Sequence, residues 1–332
     1  MSNKVNYDPL AELTDVGELE SLLAAQTSSQ TIDVPAFSRY LQSKVIGQAQ
    51  VCEDVARQIN QRLALEQRGK PVGVFLFAGP PGTGKTYMAK KMAEYLERKL
   101  LHLDMTLFSS AHAASQLFGS PKGYVGSDTY GKLTAGLRDI PTALVLLDEI
   151  EKADPDVLKK FLTAWNDGFI TEQSDGKTIS TAKAIFVLTS NAAVDALDEL
   201  AMQYADSPDD LRRSATQALR EAGFAPEVLS RLDRIFIFKR LAGLDIARVA
   251  GLEIVDLIKS YGLSLAAKGI DAKLLDNIRQ RQEKLGTVAS SRDLTRFIEE
   301  TIADDLIEIK KTGAKQVRLV FDGSKVKAEA VE

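Results

Sequence analysis

The sequence predicts an α/β protein: a parallel sheet covered by helices, followed by a smaller, mainly helical unit. Three observations carry this prediction. Apolar runs of strand length recur at 72–78, 100–104, 143–147, 184–188 and 235–238, with helical patterns between them. Strands that alternate with helices pair in parallel, and strands covered on both faces read as unbroken apolar runs. After about residue 240 the pattern changes to helices at 246–261, 272–284 and 292–310, closed by one strand-like stretch at 316–321. Finally, 332 residues exceed the roughly 250–300 at which a single core stops growing, so two packed units are expected.

The elements follow in order. Leu10, Leu13, Val16, Leu19 and Leu22 recur every three residues. They read as a short amphipathic helix that either docks on its own domain or serves as a partner-binding arm. The polar stretch 26–31 reads as a linker. Residues 1–36 set Lys4 against Asp8, Glu12, Asp15, Glu18, Glu20 and Asp33, a net of −5, so the chain's formal charge of −4 belongs to this arm. A helix is predicted over 49–66, with Val51, Val55, Ile59 and Leu63 on one face, broken by Gly69, Lys70 and Pro71. The expected organisation is an acidic arm and linker (1–36), a large α/β domain (37–240), a small helical domain (241–324) and a charged tail that frays (325–332).

Composition excludes several classes. Cys52 is the one cysteine, which rules out a disulfide scaffold or a cysteine metal cage and suits a reducing compartment. The apolar runs are far shorter than the roughly 18 residues of a membrane span. The N-terminus lacks a basic-then-apolar signal segment, so a cytoplasmic location without membrane contact is expected. A nearly neutral chain argues against strong nucleic-acid binding. His102 and His112 lack acidic or cysteine companions at ligand spacing and read as structural or surface residues.

The first chemical motif is Gly79-Pro80-Pro81-Gly82-Thr83-Gly84-Lys85-Thr86, which fits G-x-x-x-x-G-K-[ST] after an apolar strand and before a helix. Such a loop wraps phosphates with backbone N–H groups at the positive end of the helix. Lys85 would reach the β- and γ-phosphates, and the Thr86 hydroxyl would ligate Mg²⁺. The second is an apolar strand ending in Asp148 and Glu149, 63 residues beyond Lys85. It delivers both carboxylates to the sheet's carboxyl edge, where ligands of such sheets bind. Asp148 suits an outer-sphere or direct Mg²⁺ contact, and Glu149 suits a base that polarises the attacking water. The third is Thr189-Ser190-Asn191, closing the next strand; the Asn191 amide could position that water.

These motifs, in this order, resemble the AAA+ ATPases. VIGQ (45–48), GSPKGYVG (119–126), LLDEIEKADPDV (146–157), LTSN (188–191) and FAPEVLSRLDRIFIF (224–238) look like signatures of the Clp-type protein unfoldases, particularly the second ATPase module of two-ring members. The resemblance covers about 40–320. It implies a P-loop NTPase large domain with a small helical lid domain, ATP and Mg²⁺ as ligands, and Val45 and Ile46 at the adenine. It implies that Arg231 is an arginine finger acting on the neighbouring subunit. Arg292, after Ser290 and Ser291 where relatives have Gly-Ala, would be the lid's nucleotide sensor. Tyr124 and Val125 would form a pore loop that grips a translocating polypeptide, and 171–177 is a candidate second pore loop.

The function so implied is an ATP-driven ring, by family norm a hexamer, that unfolds, threads or remodels a protein substrate. The single P-loop implies one ATPase ring. No Ile-Gly-Phe or Ile-Gly-Leu loop occurs between 191 and 224, so no docked protease partner is expected. The alternatives are a nucleic-acid motor or loader on the same core, and an ATP-switched assembly or scaffold protein.

Overall fold

The five apolar runs become one parallel sheet. In a computed structural model, which describes residues 31–65, 69–124, 128–285, 291–323 and 325–331, β1 (Gly73–Ala78) pairs with β6 (Ile185–Ser190) and β7 (Arg234–Ile237). β3 (Leu144–Asp148) lies between β2 (Leu100–Asp104) and β6, giving the order β2-β3-β6-β1-β7. The leucine-spaced arm, 1–30, and Val125 lie outside the described residues.

The unbroken apolar runs are explained by what covers each face. Val74, Leu76 and Ala78 point into one core, with Val145, Leu147, Phe186 and Leu188. Phe75 and Phe77 point into a second core on the opposite face, with Leu144, Leu146, Ile185 and Val187. Alternate residues along a strand face opposite sides, so a strand buried on both must be apolar at every position.

Helices α1 (Val34–Lys44), α2 (Ala49–Leu63) and α3 (Lys85–Tyr95) cover the second face. Asp33 caps α1, its carboxylate accepting the Ala36 N–H at 2.9 Å, with Pro35 in the first turn. α2 ends at Leu63, short of the predicted 66. The first face is covered by α4 (Ala114–Phe118), α5 (Lys132–Asp139), α6 (Pro155–Asn166), α7 (Val194–Gln203), α8 (Pro208–Glu221) and α9 (Pro226–Leu229). A small antiparallel hairpin, β4 (Phe169–Thr171) and β5 (Thr178–Ser180), is inserted between α6 and β6.

The C-terminal unit has its own core. α10 (Leu244–Ser260), α11 (Ala272–Leu285) and α12 (Ser291–Thr312) bring together Ile254, Ile258, Leu274, Ile302 and Leu306. They pack on a three-stranded sheet ordered β10-β9-β8: β8 (Ser264–Ile270), β9 (Gln316–Phe321) and β10 (Val326–Val331). Two of these strands, β8 and β10, lie where the sequence predicts none. The stretch read as a fraying tail is β10, which pairs antiparallel with β9 from Val326↔Phe321 to Val331↔Gln316 and buries Val326. Pairing supplies its backbone partners and a buried valine anchors it, so it is held despite its charge.

Candidate nucleotide site

The glycine-rich loop bridges β1 and α3, and its backbone shape requires its sequence. Gly79, Gly82 and Gly84 have φ of +143°, +76° and +93°. At Gly79 a β-carbon would also lie 2.4 Å from the Phe238 carbonyl oxygen, so a side chain is excluded by space as well as by backbone angle. Thr83 is buried and its hydroxyl donates to the Pro80 carbonyl at 2.8 Å. Pro81 and Gly82 stand exposed at the tip.

Lys85 opens α3 with 6% of its surface exposed. Its ammonium donates to the Gly79 and Pro80 carbonyls at 2.7 and 2.6 Å. Burial lowers its pKa to about 8, against the pull of Glu151, Asp148 and Glu149.

Asp148 ends β3 facing three donors. Its Oδ1 accepts the Thr86 hydroxyl at 2.8 Å and the Thr189 hydroxyl; its Oδ2 lies 3.1 Å from His102 Nε2. Burial pushes its pKa up, but the bonds from Thr189, Thr86 and His102 outweigh burial and hold it below the usual aspartate range. The sequence reading gave His102 no role beyond a structural or surface one. Here it braces the second oxygen of Asp148, a pairing that depends on β2 lying beside β3.

The pair Thr86–Asp148 fits a hard divalent cation, being two oxygen donors on one point with the carboxylate held ionised. Among the described residues no group of three or more His, Cys, Asp or Glu could hold a metal alone, so a cation here would need oxygens from a nucleotide as well.

Glu149 adopts the left-handed conformation, φ 57° and ψ 53°. Its N–H donates to the Thr189 hydroxyl at 3.0 Å, tying it to β6. A non-glycine residue with positive φ is uncommon and clusters where a side chain must be aimed. Asn191, one residue beyond β6, donates its N–H to Glu151 Oε1 at 3.0 Å. Most of these groups open onto one cleft of about 380 Å³. Lys85, Thr86, Asp148, Glu149, Asn191, Val45 and Ile46 line it, with the loop tip 81–84; Gly79 and Pro80 stand behind.

The order of strands, the loop and the paired acids therefore converge at the carboxyl edge of a parallel sheet. Residues 70–235, half of the chain, match the AAA domain (Cdc48 subfamily) family. The chain belongs to this family. Its relatives agree on the Clp type. It is 34% identical over 97% of its length to chaperone protein ClpB 2 of Parasynechococcus marenigrum, covering 38% of that protein. It is 34% identical over its whole length to chaperone protein ClpB of Streptomyces albus G, covering 37%. It is 33% identical over 87% of its length to the ATP-dependent Clp protease ATP-binding subunit ClpE of Bacillus subtilis, covering 42%. The chain thus spans about two-fifths of the length of these relatives.

Other expected site residues of this AAA chain lie elsewhere. Arg231 follows α9, exposed and outside the cleft, with no ion pair or hydrogen bond from its side chain among the described residues. Its position is fixed by Asp233, which accepts the Val74 N–H at 2.8 Å and pairs with Arg62 on α2. Arg292 lies in the first turn of α12, and its side chain is outside the described residues. Tyr124 is 71% exposed on the segment between α4 and α5. The candidate second pore loop, 171–177, turns Glu172 and Ser174 inward.

The sequence reading missed one wall of the cleft. Leu241, Val249, Leu252, Glu253 and Asp256 close it from the C-terminal unit. A signal existed: positions 249, 252, 253 and 256 share one face of α10, away from the buried stripe of Ala250, Ile254, Leu257 and Ile258. Among the described residues no helix is long and apolar enough to cross a membrane.

Proposed function

We propose that this chain binds and hydrolyses ATP as a subunit of a closed ring, a hexamer, in the cytoplasm, and uses the turnover to unfold, thread or disassemble protein substrates. The observation that carries the nucleotide part is the meeting of Lys85, Thr86, Asp148, Glu149 and Asn191 in one cleft. Lys85 supplies the counter-charge to the phosphates, and the loop N–H groups cradle them. Thr86 and Asp148 would hold Mg²⁺, which when bound neutralises charge on the transferred phosphoryl group. Glu149 accepts a proton from the attacking water, and Asn191 orients that water. Val45, Ile46, Val249 and Leu252 offer apolar surface to the base. Arg231, without a side-chain partner among the described residues of its own subunit, suits action on the neighbour's γ-phosphate across a head-to-tail interface, and Arg292 suits reporting nucleotide to the C-terminal unit.

Tyr124 supports a polypeptide as the substrate. Its ring stands in solvent, outside every nucleotide motif, and an exposed ring gives apolar and stacking contact to almost any side chain. Val125 would extend that contact. The test pairs ATP binding with unfolding of a model protein substrate. Tyr124→Ala should bind ATP normally yet fail to remodel, whereas Tyr124→Phe should retain most remodelling. A Tyr124→Ala ring that remodels as well as the unmodified protein would remove the threading reading.

A further inference from the structure

Glu172, in the β4–β5 turn, is a fully buried carboxylate that forms no ion pair among the described residues. Its partners among the described residues are neutral donors, the Ser174 hydroxyl among them. Thr134 donates its hydroxyl to Oε2, Gly131 donates its N–H to the same oxygen at 3.1 Å, and the Ser174 N–H reaches Oε1 at 3.0 Å. Gly131 is the N-cap of α5, so the carboxylate also lies at that helix's positive end. Burial pushes its pKa up, but these bonds outweigh it and keep the group below the usual glutamate range.

What Glu172 joins is the base of the Tyr124 segment. A β-carbon on Gly119 would lie 1.6 Å from Glu172 Oε1. One on Gly131 would lie 2.4 Å from the Gly119 nitrogen. The two glycines that bracket Tyr124 therefore touch each other and the carboxylate. Two further bonds fasten the same feet to the same turn. The Gln173 N–H donates to the Phe118 carbonyl at 2.8 Å, and the Tyr130 hydroxyl donates to the Asp175 carboxylate. The turn is itself closed, with Glu172 N–H to Lys177 O at 2.9 Å and Gly176 N–H to Glu172 O at 3.0 Å.

The hairpin that carries this turn lies, along the chain, between the two halves of the nucleotide site. α6 leads from just beyond Glu149 to β4, and β5 leads into β6 and Asn191. Thr181 locks that return path, its hydroxyl donating to Ala164 O at 2.8 Å and its N–H to Gly168 O at 2.7 Å.

We propose that Glu172 is a positioning residue that fastens both feet of the Tyr124 segment, 118–119 and 130–131, to the β4–β5 turn, so that movement between Glu149 and Asn191 is delivered to Tyr124. Its value for remodelling rests on the function proposed above; the fastening itself does not. Hydrogen exchange on the full chain tests the fastening directly, in Glu172→Gln, Glu172→Ala and Thr134→Val. Hydrogen bonds to a charged group are worth enough that losing them should speed exchange at the amides of 119–120, 122–124 and 128–131 by about tenfold or more. Exchange in β1, β3 and β6 should stay unchanged. Glu172→Gln, which keeps the shape and one acceptor oxygen, should fall between the unmodified protein and Glu172→Ala. Unchanged exchange at those amides, or acceleration spread equally through the sheet, overturns the proposal. If Glu172→Ala does not fold, the same exchange rates in Glu172→Gln and Thr134→Val decide the question.

Remodelling then tests the route. Glu172→Gln alone should lower remodelling per ATP hydrolysed while leaving ATP binding unchanged. Undiminished remodelling per ATP in Glu172→Gln, once its exchange at those amides is faster, overturns the route through Tyr124. If Tyr124→Ala itself loses nothing, the threading function fails, and the exchange result still decides whether Glu172 is the fastening.

Discussion

Lys85 shows how one side chain sets a pH dependence for both stability and binding. Its folded pKa of about 8 lies below the roughly 10.4 of an unfolded lysine, so between those values the unfolded chain holds the proton more tightly. The buried charge therefore costs the nucleotide-free fold stability below pH 8, and the cost fades as pH rises towards 10.4. At full effect it is about 3 kcal/mol. Lys85→Met should accordingly be the more stable protein at pH 7.5, with its advantage shrinking by pH 10. Unfolding free energies of the two proteins, compared at each pH, check this. The comparison cancels Cys52, whose buried thiol is pushed up to about 12 and so works oppositely, removing stability as the unfolded thiol ionises. Phosphates need the charged form, so ATP affinity of the unmodified protein should fall as pH rises through 8. Lys85→Met should bind poorly throughout.

At the scale of elements, β10 makes the sharpest forecast. Deleting 325–332 would strip the outer edge of β9 and empty the site of Val326, which is 5% exposed. Loss of a buried aliphatic group together with strand pairing should destabilise the C-terminal core by roughly 2–4 kcal/mol. Thermal unfolding should show that unit melting earlier, and an unchanged profile would return the segment to the status of a loose tail. The same strand marks where sequence reading ends. The three inner strands, β1, β3 and β6, were legible because double burial writes an apolar run into each, and the edge strands β2 and β7 through shorter apolar runs. β10 has one buried residue among charged neighbours, and β8 is interrupted by a bulge between Leu265 and Ile270 and a positive φ at Lys268. β8 carries no period-two pattern; β10 does, Val326, Ala328 and Ala330 alternating with Lys325, Lys327 and Glu329, but its apolar side is mostly alanine, which favours strands weakly, and both are strands because β9 pairs with them. The site divides the same way. Gly79 to Thr86, Asp148, Glu149 and Asn191 were legible since each motif is local. His102 against Asp148, and Leu252 across the cleft, come together only once strand order and packing are set.

For the whole molecule, the decisive property of the proposed ring is that its sites are shared between subunits. Arg231→Ala should bind ATP and hydrolyse it poorly, since an arginine finger is worth about 10³–10⁵ in kcat. Glu149→Gln should likewise bind and stall. Mixed after subunit exchange, the two should regain part of the rate, because an intact Arg231 from one can face an intact Glu149 in the other. No recovery in rings shown to have mixed would make Arg231 a structural residue. Glu149 also carries a cost that the whole fold feels. Holding a glutamate at φ 57° is disfavoured by about 1–2 kcal/mol, whereas asparagine visits this conformation readily. Glu149→Asn should therefore be as inactive as Glu149→Gln yet melt later, by about 1–2 °C for each kcal/mol recovered in a chain of 332 residues. Catalysis and heat resistance thus pull in opposite directions on the same two backbone angles, and a screen for hardier variants would carry position 149 away from function.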